Sequence, residues 1–177
     1  MRKIAISSII VLIACLNLIS CSSKQSDLNQ AAEEVEKYNN SETIPSVQGL
    51  EIKEIDLLAD PLGQGRDSII YTFTDKKGKL GKANSISIDT QILYGPYKGT
   101  DVFKLTVSKV EVIYEEDMNK KVINGIEMEY KTINDRILIS ARSQGESYTY
   151  EAKINDEYTV KKHFDLFYEV ISSRNFD

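Results

Sequence analysis

Residues 126–154, IEMEYKTINDRILISARSQGESYTYEAKI, decide the fold. Ile126, Met128 and Tyr130, then Ile137, Ile139 and Ala141, then Tyr148, Tyr150, Ala152 and Ile154 recur at every second position, with Glu, Lys, Arg and Thr between them. Side chains alternate across a strand with that period, so the three runs are strands with one apolar and one solvated face. Asn134-Asp135 and Gln144-Gly145-Glu146 between them are short enough to force antiparallel hairpins. Asn124-Gly125, ahead of the first run, is a type I′ turn signal because both residues tolerate positive φ. The spacing predicts a half-solvated antiparallel meander over 126–133, 136–143 and 147–154.

Working outward, short alternating runs also predict strands over Glu51–Leu58, Ser68–Thr74, Asn84–Tyr94 and Val102–Tyr114. In the last of these the apolar side passes from Phe103, Leu105 and Val107 to Val110 and Val112. A change of face near Ser108-Lys109 implies a bulge, a bend or burial on both faces, and hence curvature. After Asn155-Asp156, the residues Val160, Phe164, Phe167 and Ile171 follow at spacings of four, three and four, widened by Leu166 and Val170, which is the period of a helix. A sheet with one apolar face and an amphipathic helix bury both by packing together. The expected fold class is α+β: a curved antiparallel β-sheet meander covered by a C-terminal amphipathic helix. A short N-terminal helix precedes it, with Leu28, Ala31, Ala32, Val35 and Tyr38 at helical spacing and Asp27 as N-cap; Thr43 to Ser46 is a linker.

The first twenty residues obey a different grammar. Arg2 and Lys3 precede an apolar run, Ile4 to Ile19, interrupted by Ser7, Ser8 and Asn17, and the run stops at Leu18-Ile19-Ser20-Cys21. This is shorter than the roughly 20 apolar residues a single span needs. The tetrapeptide resembles the lipobox of bacterial lipoproteins. That resemblance implies cleavage between Ser20 and Cys21, with Cys21 alkylated by diacylglycerol and left as the first residue of the mature protein. The expected organisation is 1–20 signal peptide, 21–46 lipidated tether with short helix and linker, and 47–177 a single α+β domain. The expected location is the outer side of a cell membrane or outer membrane, held by the lipid on Cys21.

Composition excludes several chemistries. The chain has two cysteines, Cys15 and Cys21, so a processed domain holds no disulfide, no cysteine nucleophile and no thiolate metal site. Lys plus Arg number 22 against 27 Asp plus Glu; removal of Arg2 and Lys3 moves the balance from −5 to 20 against 27, or −7. The lysines are scattered among acids rather than gathered on a face, so nucleic acid is not an expected partner.

Candidate site residues are few. His163 is the single histidine and falls at the border of the terminal helix's apolar stripe, where a packing or helix-end role fits better than catalysis. One His and no Cys exclude the common zinc sites. Glu115-Glu116-Asp117 and the loop 60–67 lack the alternating acids and fixed glycine of a calcium loop, and Gly63 and Gly65 lack the strand and helix of a dinucleotide fingerprint. Glu127 and Glu129 share a solvent face and deter edge pairing. No catalytic residue, metal or cofactor is expected. The loop Tyr94-Gly95-Pro96-Tyr97-Lys98-Gly99-Thr100 places two aromatics on a turn, which makes Tyr94 and Tyr97 the expected partner contact.

Residues 136–151 and the helix ending Leu166-Phe167-Tyr168-Glu169-Val170-Ile171-Ser172-Ser173 are similar in order to the close of PsbP-like domains and of exported domains related to lipoprotein-sorting carriers. The resemblance spans at most the last fifty residues and implies a fold without a site. Three functional expectations follow: a noncatalytic binding or accessory domain contacting an envelope protein, glycan or lipid; a carrier of apolar, lipid-like ligands between sheet and helix; and an enzyme with a carboxylate-based site.

Overall fold

The computed structural model describes residues 27–38, 44–60, 67–82, 90–110, 117–143 and 145–173. They form an open eight-stranded antiparallel sheet with one helix before its first strand and one after its last: α1 (Leu28–Tyr38), β1 (Glu51–Leu58), β2 (Ser68–Thr74), β3 (Thr90–Tyr94), β4 (Asp101–Ser108), β5 (Asn119–Ile123), β6 (Ile126–Ile133), β7 (Arg136–Ser143), β8 (Glu146–Lys153) and α2 (Val160–Ser172). The strand order is β3-β1-β2-β4-β8-β7-β6-β5. The meander expected from the sequence is β6 to β8, and β5 extends it by one strand at the edge. In the other half β1 and β2 pair centrally and β3 and β4 flank them, and β8 closes against β4 to join the halves.

The expected bounds of β1, β2, β6 and β7 match, and β8 begins and ends one residue earlier than expected. Of the run 84–94, the described strand is Thr90–Tyr94, and 83–89 lie outside the described residues. The run 102–114 is shorter than expected, because β4 ends at Ser108, whose Oγ accepts from the Val110 amide at 3.1 Å and turns the chain. Residues 111–116, including Glu115 and Glu116, lie outside the described set. The turn at the end of β4 is the bend expected near Ser108-Lys109, and Val107 and Ser108 are both buried there; a separate ladder irregularity lies at the start of β4, where Phe73 pairs Phe103 but Thr74 pairs Asp101, and Val102 and Phe103 are both buried.

β5 carries no apolar alternation and was not foreseen. Its sequence, NKKVI, is exposed along almost its whole length, and it is held by pairing with β6 across Asn124-Gly125, both at positive φ (48° and 85°). It is an edge strand, and Lys120 pairs with Glu127 at 3.0 Å and Glu129 at 3.2 Å. Charged edges of this kind discourage intermolecular strand pairing.

The three alternating runs meet in register, Met128 against Ala141, Ile139 against Tyr150 and Ile137 against Ala152, and β8 continues the face into Leu105 and Phe103. Aromatic rings cross this face from strand to strand: Phe73 stacks on Phe103 at 4.4 Å, Phe103 on Tyr150 at 4.6 Å, and Tyr150 meets Phe167 of α2 at 5.5 Å. Tyr130 meets Phe164 edge-on at 5.0 Å. Phe164, Leu166, Phe167, Val170 and Ile171 of α2 are all buried, as the expected stripe requires, while Val160 at its start is exposed. Burying an aromatic side chain contributes on the order of 2–3 kcal/mol, which makes this ladder a main source of the core's stability.

Thr159 caps α2, its Oγ1 accepting from the Lys162 amide at 3.4 Å. Asp27 caps α1 by accepting from the Asn29 amide at 2.9 Å, and Ala31 and Val35 are buried where the helix packs near β3. The chain between α1 and β1 runs to the far end of α2, where the Gln48 amide donates to Glu169 at 2.5 Å and the Ser46 amide donates to Ser173 Oγ at 3.4 Å.

Candidate functional site

Three regions carry polar side chains that could do chemistry. The first surrounds His163. It is fully buried on α2, its Nδ1 lies 2.7 Å from the Tyr150 hydroxyl and its Nε2 lies 3.1 Å from the Lys153 carbonyl. A carbonyl can only accept, so Nε2 carries the proton and Nδ1 accepts from Tyr150. Burial holds the imidazole below its ordinary value of 6.5, outweighing the backbone hydrogen bonds at Lys153 and Tyr158. Burial also pushes the Tyr150 phenol far up, so it stays a donor. Both ring nitrogens are therefore engaged by the protein, and the arrangement bolts α2 to β8.

The second region is the tyrosine turn. A side chain at Gly95 would meet the Lys53 carbonyl oxygen at 2.3 Å, and φ there is 81°, so this position admits glycine alone. The Gly95-Pro96 peptide is cis. The turn is stitched to residues 76–81: the Gly78 amide donates to the Lys98 carbonyl at 2.6 Å, Gly81 to Pro96 at 2.7 Å and Lys98 to Lys79 at 2.9 Å. Tyr94 is buried at 4% exposure and Tyr97 is half-buried, their rings 5.2 Å apart. Burial and a hydrogen bond with Tyr94 raise the Tyr97 phenol above its ordinary value. Lys77 already serves this pair, with Nζ 3.2 Å from the Tyr94 hydroxyl, 5.1 Å from the Tyr97 ring centre and 3.3 Å from Glu51. Of the two tyrosines expected to meet a partner, Tyr97 keeps a surface to offer, while Tyr94 is taken up by the fold.

The third region is a cleft of about 250 Å³ at the ends of β4, β7 and β8, lined by Asp101, Lys104, Asp135, Arg136, Glu151 and Lys153 among others. The sequence gives no warning of it, because the β7-β8 hairpin meets a strand, β4, from a distant part of the chain. Its charges largely cancel in pairs: Arg136 with Glu151 at 2.6 Å, Lys153 with Asp135 at 3.1 Å, and Asp101 with Lys53. Pairs this exposed contribute little to stability.

Glu127 and Glu129 share the solvated face of β6, as expected, and serve Lys120. Among the described residues no three of His, Cys, Asp and Glu converge as metal ligands, and no helix is long and apolar enough to cross a membrane. Ser20 and Cys21 lie outside the described residues, as do Gly63 and Gly65. Comparison with protein-family models, with curated proteins and with solved structures yields no match to this chain.

Proposed function

We propose that the chain is a lipid-anchored bacterial envelope protein, tethered through Cys21 on the outer side of a membrane, whose α+β domain is a noncatalytic binding or accessory module. The observation that carries this reading is Leu18-Ile19-Ser20-Cys21 at the end of an apolar run preceded by Arg2 and Lys3. Two or three acyl chains, each buried methylene contributing about 0.8 kcal/mol, give an attachment that one chain alone would not sustain. In this reading residues 22–26 are the tether and the sheet curves beneath a covering α2.

Support for the noncatalytic half comes from His163, whose nitrogens are occupied by Tyr150 and Lys153, and from the cleft, whose charges, among the described residues, are paired except for Lys104. The carrier reading is less favoured, because the side chains of α2 that would line an apolar cavity, Phe164 to Ile171, are packed against the aromatic ladder.

Fractionation of cells tests the proposal. Wild-type protein is expected in the membrane fraction after a high-salt wash, and Cys21→Ser in the soluble fraction with its domain still folded. Retention of Cys21→Ser on membranes would refute the tether. Crosslinking of the wild-type protein in cells, followed by identification of the adduct, then separates a protein, glycan or lipid partner.

A further inference from the structure

The sheet face opposite the aromatic ladder holds polar groups that the fold leaves unserved. Residues directly opposed in an antiparallel ladder share a face. Glu54, Thr72 and Lys104 therefore form one row across β1, β2 and β4, and Asp56, Ile70 and Thr106 form the next. Nearby charges elsewhere on the sheet neutralise one another, as in the cleft, yet among the described residues no donor bonds to Glu54 or Asp56 and neither forms an ion pair. Both are partly buried; Lys53, Lys104 and Asp101 act on Glu54, and Glu54 and Lys104 act on Asp56, through their fields alone. Between Glu54 and Lys104 sits Thr72, exposed by 1%, whose hydroxyl has no hydrogen-bond partner. Buried hydroxyls are normally bonded, and an orphaned one is costly.

Two carboxylates and a hydroxyl oxygen on one patch are three acceptors, and a primary ammonium carries three N–H donors. We propose that Glu54, Asp56 and Thr72 form a binding site for the primary ammonium group of a small organic amine. Lys104 is exposed and engages no partner among the described residues, so it can swing aside to open the way to the Thr72 hydroxyl. The flanking groups on β2 and β3, Ile70 and Ile92, are uncharged, so the charges around Glu54 and Asp56 are Lys104, Glu151 opposite Lys104 on β8, and Lys53 and Asp101 beside Glu54. A metal ion is the poorer occupant, since two carboxylates beside a lysine supply too few charged oxygens.

Titration of the full-length protein with n-butylamine, followed through the backbone amide resonances of residues 54, 56 and 72, tests the site. Saturable shifts are expected with Kd of about 1 mM, the range that a few charge-assisted hydrogen bonds on a wet face support. Butyltrimethylammonium has the same charge and no N–H, and should bind at least about tenfold more weakly, because the site recognises donors. Glu54→Gln with Asp56→Asn should abolish binding, Thr72→Val should weaken it several-fold, and Lys104→Met should strengthen it by removing the competing cation. Because the Asp56 carboxyl holds its proton to about 7, butylamine affinity should rise about tenfold from pH 6 to pH 8 as Asp56 ionises. Equal binding of the quaternary amine, unchanged binding in the double variant, or no saturable shift at tens of millimolar amine would each overturn the proposal. Folding of every variant is checked by its amide spectrum, and Lys104→Met gives a readout that rises rather than falls, so loss of structure cannot mimic it.

Discussion

Replacing Tyr150 by Phe removes one oxygen from the core and should reveal how α2 is bolted to the sheet. The Tyr150 hydroxyl donates to His163 Nδ1 at 2.7 Å in a region closed to solvent. His163 cannot turn to another partner, because its Nε2 proton is committed to the Lys153 carbonyl at 3.1 Å. In Tyr150→Phe the stacking on Phe103 and the tilted contact with Phe167 survive while Nδ1 becomes a buried acceptor without a donor, at a cost of about 1–3 kcal/mol. Taking about 2 kcal/mol and an m-value of about 2 kcal/mol/M, the midpoint of urea unfolding should fall by about 1 M with m unchanged. His163→Leu should cost a similar amount by orphaning the phenol, and the double variant should lose less than the two together, with a coupling of about 1 kcal/mol or more. Acidification supplies the matching control. Since burial lowers the folded-state value of His163 below its ordinary 6.5, the unfolded chain takes up the proton first. The pair's contribution is then full above pH 6.5 and declines below it. A midpoint within about 0.2 M of wild type for Tyr150→Phe, or additive single variants, would show that the contact does not hold the helix.

Phe167, fully buried against Tyr150, should cost about 3–5 kcal/mol when truncated to Ala, measurable by thermal or urea unfolding, and a loss under about 1 kcal/mol would contradict the packing of α2. Asp56→Asn should be stabilising at neutral pH and not in acid. Burial and the Glu54 charge raise the folded-state carboxyl from 3.8 to about 7, so stability present below 3.8 is lost as pH rises through about 7 in the wild type but not in the variant. Allowing for its residual contact with water, the gain above pH 7 is about 1 kcal/mol, and an equal gain at pH 4 would rule out the ionisation as its cause. Lys120→Val combined with Lys121→Val should turn β5 into an adhesive edge, seen as concentration-dependent association by light scattering; a monodisperse variant would show that the lysines do not guard it.

The amine patch and the Asp56 prediction share one physical basis. A carboxylate held partly out of water beside another acid costs stability, and a cationic ligand relieves that cost, so the same substitution that stabilises the domain should disable the patch.

Much of this protein was legible because its signals are local. Alternation at every second residue over 126–154 marked β6 to β8, with β8 displaced by one residue, because short turns leave few antiparallel registers that keep all apolar side chains together. The three-and-four spacing from Val160 to Ile171 marked α2, and Leu18-Ile19-Ser20-Cys21 carries whatever the chain says about its location. Tertiary structure alone decided the rest. Any strand with the same alternation satisfies the same apolar face, so nothing local says that β1 pairs both β2 and β3 or that β8 closes on β4. β5, polar along its length, owes its existence to a neighbour and not to its own pattern. Whether a polar residue is served depends on what the fold brings beside it. The structure gave His163 two partners, enclosed Tyr94, and left Glu54, Asp56 and Thr72 side by side with none among the described residues, because burial and pairing belong to the assembled sheet and not to any segment of the chain.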